Sequence, residues 1–137
     1  MNIKIATIDD LEFLLINDRH INEKELINKI NLGRIYIVEL ENKYIGWLRW
    51  GLFWDNIPFM NMLYVFSDYQ KQGIGKKLVN FWEESMKKLN YKTVMTSTLS
   101  DEEAQHFYRK LAYKDSGVLL LEGEASEIIF IKNIQKN

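Results

Sequence analysis

Residues 63–78, Leu-Tyr-Val-Phe-Ser-Asp-Tyr-Gln-Lys-Gln-Gly-Ile-Gly-Lys-Lys-Leu, hold the spacing in this chain that most directly suggests chemistry. A β-prone run passes through a short polar loop into Gly73-x-Gly75, where a strongly amphipathic helix begins. Glycine lets backbone approach a ligand closely. The first amides of a helix lack intrahelical acceptors, and the helix dipole favours negative charge, so a phosphate or pyrophosphate suits this point. Lys71, Lys76 and Lys77 add local positive charge. The same glycines would also serve simply to shape a tight turn. Two familiar nucleotide motifs do not fit: a dinucleotide fingerprint needs glycine where Leu78 stands, and a P-loop needs Gly-Lys-Ser or Gly-Lys-Thr where Gly75-Lys76-Lys77 occurs.

The elements that must position this loop follow from periodicity. A strand is predicted over 3–6, then a helix capped by Thr7 or Asp9 and carrying Leu11, Phe13, Leu14 and Leu15. Asn22 with Glu25 opens a second helix bearing Leu26, Ile27 and Ile30, which Gly33 ends. Strands are predicted over 34–41 and 44–54 about a turn at Asn42-Lys43, and, after a break at 55–58, over 59–66. Residues 73–89 place Ile74, Leu78, Phe81, Trp82, Ser85, Met86 and Leu89 on one helical stripe, with Lys76, Lys77, Glu83, Glu84, Lys87 and Lys88 away from it. A strand over 92–98 precedes a helix with Ala104, Phe107, Tyr108 and Leu111 at core spacing, for which Ser100 and Glu103 offer a capping box. Strands near 113–121 and 127–131 close the chain. The order β-α-α-β-β-β-α-β-α-β-β gives an α/β protein, a mixed α+β sheet flanked by helices.

The chain has 137 residues, read as a single domain over 1–137. Its 18 basic and 19 acidic residues leave a net charge of -1, which excludes a global basic field for nucleic acid. There is no cysteine and only His20 and His106, so disulfides, thiol nucleophiles and thiolate zinc sites are excluded and no metal is expected. No leader-like segment or apolar run long enough to span a bilayer is visible, so no membrane partner and a cytoplasmic location are expected.

Gln70-x-x-Gly73-x-Gly75, between strand and helix, resembles the acyl-CoA-binding signature of the GNAT N-acetyltransferase superfamily. Asp101-Glu-Glu-Ala-Gln-His-Phe-Tyr-Arg-Lys-Leu-Ala-Tyr113 is similar to the family's later helix motif, and the order of elements matches along essentially the whole chain. The resemblance implies a GNAT-like fold and an acetyl-CoA-dependent N-acetyltransferase, with direct transfer of the acetyl group to an amine in a ternary complex. It implies that backbone groups of Leu63, Tyr64 and Val65 pair with pantetheine, and that Gln70, Lys71, Gln72, Gly73, Ile74, Gly75 and Lys76 hold the pyrophosphate. It makes Tyr108 the general acid to the CoA thiolate, although an aromatic at this spacing also suits plain core packing. Asp101 takes the place of an asparagine that contacts pantetheine, and Ala112 that of a glycine. Asn61 stands where many members carry a glutamate base, and an amide cannot accept that proton. Glu41, Asp55, Glu122 and Glu127 are carboxylates near predicted sheet ends, and a water held by Asn61 or Tyr64 is another way to supply the base.

Alternation places Trp50 and Trp54 on one face with Leu48 and Leu52, and Trp47, Arg49 and Phe53 on the other, unless a bulge at Gly46 or Gly51 shifts the register. Trp50, Trp54 and Asn61 are the substrate-binding candidates, since tryptophan faces attract ammonium groups. An apolar dimer interface or ordinary core explains the tryptophans as well. The implied partner is a small-molecule or peptide amine, and a homodimer is one option. His106 lies about 200° round the helix from Tyr108 and reads as a surface residue. A catalytically silent acyl-CoA-binding or sensing module on the same fold is the alternative, and a site for another phosphorylated ligand is a third reading.

Overall fold

The computed structural model describes residues 1–135. Its elements are β1 (Asn2–Ile5), α1 (Leu11–Asn17), α2 (Glu23–Asn31), β2 (Ile35–Leu40), β3 (Lys43–Phe53), β4 (Ile57–Val65), α3 (Ile74–Lys88), β5 (Thr93–Leu99), α4 (Ala104–Lys110), β6 (Lys114–Leu119) and β7 (Glu127–Asn133). The order of strands and helices is the one periodicity predicts. The seven strands run β1-β2-β3-β4-β5-β7-β6 in a mixed sheet. β4 and β5 are parallel, whereas β1 with β2, β2 with β3, β5 with β7 and β6 with β7 are antiparallel.

Contacts divide the chain into two compact units, one of residues 1–51 and 62–78, the other of 52–61 and 79 onward. In the first, the amphipathic faces of α1 and α2 supply Leu14, Leu26 and Ile30, which pack with Ala6, Ile35, Ile37 and Trp47. Phe13 meets Tyr44, Trp47 and Phe66 edge-on, with ring centroids 5.1, 6.0 and 6.2 Å away. Asn22 caps α2 as its spacing with Glu25 implies, its Oδ1 accepting from Glu25 N at 2.9 Å. Gly33 ends that helix at φ 71°. Glu41 and Asn42, both at positive φ, form the tight turn between β2 and β3, one residue earlier than predicted. Gly46 on β3 lies against β4: a Cβ there would stand 2.6 Å from the Tyr64 carbonyl oxygen.

Trp82, Met86, Val94, Tyr108, Tyr113, Ile128 and Phe130 are among the buried apolar residues of the second unit. β4 starts at Ile57, earlier than predicted, because Trp54 and Asp55 at φ 56° and 55° complete a tight turn that Asn56 N closes on Phe53 O at 3.1 Å. Pro58 is tolerated inside β4, near its start, where a missing N–H costs least. Phe81 and Leu89, read as core, are exposed, while Glu83, read as solvated, is buried. Its carboxylate accepts from Tyr113 Oη at 2.7 Å and from Lys132 Nζ at 2.8 Å, so its charge is matched in place. The predicted Ser100 and Glu103 box does not form: Glu103 is αR at φ -67°. Glu102 instead accepts from Leu99 N at 3.3 Å. Ala104 is exposed, which leaves Tyr108 as the buried residue of α4. Among the described residues, no helix is long and apolar enough to cross a membrane, and no group of three or more His, Cys, Asp or Glu could hold a metal ion.

Candidate functional site

The loop between β4 and α3 is built by backbone conformation. Lys71 and Gly73 lie in the left-handed region at φ 62° and 79°. A Cβ on Gly73 would meet nothing within 4 Å, so conformation rather than space calls for glycine there. The buried side chain of Ile74 anchors the start of α3, and the first α-helical bond runs from Lys77 N to Gly73 O at 3.1 Å. The amides of Ile74, Gly75 and Lys76 thus precede the helical ladder and are oriented as donors. Lys71, Gln72, Gly73, Lys76 and Lys77 are exposed, giving a cationic rim around those donors. The Gln70 side chain serves the loop itself: its Nε2 donates to Val65 O at 2.7 Å, tying the loop back to β4.

β4 pairs with β5 at Phe59 with Met95 and at Met60 with Thr96. Leu63, Tyr64 and Val65 lie further along β4, toward the loop. Asn61 is exposed.

Alternation along β4 sends the side chains of Met62 and Tyr64, and of Phe66 just beyond the strand, to one side. With Trp47 and residues 16–20, the end of α1 and the loop that follows it, they line a cavity of about 440 Å³ in the first unit. Trp47 and Tyr64 have ring centroids 5.2 Å apart, and Tyr64 meets Phe66 at 5.7 Å. At the loop, Asp18 accepts from Arg49 Nε at 2.8 Å, Arg49 Nη2 at 3.2 Å, Trp47 Nε1 at 3.2 Å and His20 N at 3.4 Å. This cavity lies on the Trp47 and Arg49 face of β3, the face opposite the one singled out in the sequence. Trp47 and Arg49, two residues apart, were the available signal, because an arginine facing inward on a strand requires a buried acid.

Trp50 is buried, its ring 5.0 Å beneath the Arg34 guanidinium and its carbonyl accepting from Lys29 Nζ at 2.8 Å. Burial, with Arg34 and Arg49 nearby, lowers the Lys29 pKa. Trp54 is 79% exposed and lies beyond β3 in the tight turn, against Phe53 at 4.6 Å. Trp50 and Trp54 therefore do not continue one alternating strand.

In the second unit, Tyr108 is 6% exposed and surrounded by Phe107, Tyr113 and Phe130, with centroids 5.2, 5.7 and 6.0 Å away. Burial pushes its phenol up to about 12, against a hydrogen bond with Thr96 that acts in the opposite direction. Thr96 also donates to Met60 O at 3.0 Å, so the hydroxyl beside Tyr108 is fixed by β4. At neutral pH the phenol keeps its proton and acts as a donor. Asp101 is exposed in the turn before α4, and His106 is exposed with Nε2 3.8 Å from Glu103.

Residues 5–113 match the family model described as Acetyltransferase (GNAT) family. No curated protein matches the chain. Among solved structures, a GNAT-family acetyltransferase from Bacillus cereus ATCC 10987 aligns at 22% identity and TM-score 0.78, covering 98% of each chain. The ribosomal-protein-S18-alanine N-acetyltransferase of Escherichia coli aligns at 18% identity and TM-score 0.81, over 99% of this chain and 95% of that one. An aminoglycoside 6'-N-acetyltransferase in complex with coenzyme A aligns at 20% identity and TM-score 0.81, over 100% of this chain and 99% of that one.

Proposed function

Because the chain belongs to the acetyltransferase (GNAT) family, we propose that it binds acetyl-CoA and passes the acetyl group directly to an amine in a ternary complex. The observation that carries this reading is the left-handed Gly73 turn that opens α3 with three amides ahead of the helical ladder. Those amides, within the loop from Gln70 to Lys76, hold the pyrophosphate, and the lysine rim adds charge. Backbone groups of Leu63, Tyr64 and Val65 pair with pantetheine and polarise the thioester carbonyl. Asp101 contributes a pantetheine contact. Tyr108, protonated and buried, is the general acid to the departing thiolate.

Asn61 favours a second reading, a silent acyl-CoA-binding module, because its amide cannot take a proton from an acceptor. Self-association through β6 is also supported. β6 ends the sheet, and Val118, Leu119, Leu120 and Leu121 form an exposed apolar run without the charges that usually protect an edge. Lys114 begins that strand and Glu122 and Glu124 follow the run. An antiparallel pairing of two copies about a two-fold axis sets the two apolar runs edge to edge.

Thermal unfolding with acetyl-CoA, CoA, ATP and NAD at equal concentration tests the donor assignment. Saturation at 100 times the dissociation constant adds about 2.7 kcal/mol. A rise in Tm with both CoA species, and little with ATP or NAD, is expected; no shift with either CoA species overturns the assignment.

A further inference from the structure

The cavity in the first unit offers more than a place beside β4. Three of its walls are aromatic, Trp47, Tyr64 and Phe66, and Met62 adds a polarizable apolar surface. The backbone of Leu63, Tyr64 and Val65 is read as pairing with pantetheine, and the side chains of Met62 and Tyr64 project from the same stretch of β4, so a group bound against them sits beside the thioester. Among the described residues, Asp18 is the one carboxylate of the lining, and it is already committed to Nε and Nη2 of Arg49, to the Trp47 indole and to the His20 amide. The neighbouring Arg19 adds positive charge to the same lining. A ligand with several ammonium groups therefore finds no free carboxylate and meets a repelling guanidinium. An apolar or aromatic body fills the aromatic walls, and one ammonium group is favoured over a tryptophan face.

The lining also contains His20, held in place by the bond from its own amide to Asp18 Oδ1. Imidazole is the side chain suited to accepting a proton near neutral pH. Asp18 is held in its ion pair, and Asn61 has no basic atom.

We infer, resting on the transferase reading above, that this cavity receives an acceptor with one amine on an apolar or aromatic body, and that His20 removes the proton from it. The ammonium gives one proton to the His20 imidazole, and the freed lone pair forms the C–N bond to the thioester carbonyl carbon. Collapse of the tetrahedral adduct breaks the C–S bond, the electron pair leaves with sulfur, and the thiolate takes a proton to become CoA thiol. The nitrogen loses its remaining excess proton to water, giving the amide, and His20 returns its proton to solvent.

CoA release can be followed with a thiol reagent without background, since the chain has no cysteine. With saturating acetyl-CoA, 2-phenylethylamine is expected to show kcat/KM at least ten-fold above spermidine and kanamycin. A polycation that matches or exceeds it overturns the substrate class, as does acetyl-CoA binding with turnover of none of the three. Exposed His20 permits His20→Gln without loss of the fold. That variant is expected to lose about 100-fold in kcat, a typical loss for a general base, with KM for the amine changed less than three-fold. Unchanged kcat removes His20 from the mechanism. Failure of acetyl-CoA to bind is a separate result that overturns the transferase reading itself.

Discussion

Arg49 on β3 and Asp18 at the exit of α1 form a buried two-pronged ion pair, with their side chains 7% and 0% exposed and the shortest contact 2.8 Å. Trp47 donates to the same carboxylate, so one acid fixes the α1 exit, the strand and the aromatic wall of the cavity. Asp18→Ala leaves a buried guanidinium without its partner and is expected to cost about 3–5 kcal/mol. The double change Asp18→Leu with Arg49→Met removes both charges and should cost much less. Urea unfolding of the three proteins checks this; equal losses for the single and double variants contradict it.

Gly46→Ala tests the approach of β3 to β4. The added carbon would stand 2.6 Å from the Tyr64 carbonyl oxygen and 3.2 Å from Val65 Cα, both backbone atoms that move only with the strand. A loss of about 1–3 kcal/mol is expected, as for other overpacked sites, with weaker acetyl-CoA binding because Leu63 to Val65 shift. Thermal unfolding with and without acetyl-CoA reads both effects.

The succession of elements was legible because each carries its own period: alternation through 34–41 and the Asn22 cap appear as expected, and 73–89 forms its helix, with Phe81 and Leu89 turned outward and Glu83 inward. The turn from β4 into α3 was legible for the same reason, since a strand, two glycines and an amphipathic helix are local signals. What local signals missed are the long-range pairs. Glu83 looked solvated because its partners, Tyr113 and Lys132, lie 30 and 49 residues away. Trp54 looked like a strand residue because a turn built from tryptophan and aspartate at positive φ lacks the usual Asn-Gly signature. The Trp47 face was passed over because the acid that neutralises Arg49 sits 31 residues upstream, in a loop whose position no periodicity predicts.

Tyr108 links burial to pH dependence. A general acid must carry its proton, and burial raises this phenol to about 12, so Tyr108 introduces no fall in turnover as pH rises from 7 to 10. Tyr108→Phe is expected to lower kcat about 100-fold with acetyl-CoA affinity changed less than three-fold. The native state holds this proton where an unfolded tyrosine loses it near pH 10, so stability falls as pH rises from 10 toward about 12. Tyr113, raised by burial and by Glu83, adds to that slope. Urea midpoints across this range should fall less steeply for Tyr108→Phe than for the wild-type chain.

The exposed run over 118–121, at and just beyond the end of β6, predicts a dimer that dissociates when the edge is charged. Leu119→Lys with Leu120→Lys, at positions 54% and 87% exposed, should give a monomer by light scattering with an unchanged thermal shift by acetyl-CoA. A wild-type chain that is monomeric at high concentration contradicts pairing through this strand.

Product analysis by mass spectrometry tests the central claim most directly: acetyl-CoA and 2-phenylethylamine are incubated with the enzyme, and N-acetylated amine and free CoA are quantified against an enzyme-free control. The account predicts both products in equal amounts, formed far faster than in the control and slowed by Tyr108→Phe. Acetyl-CoA that binds the chain yet is never passed to this amine, or to any other amine tried, would contradict it and leave a silent acyl-CoA-binding module.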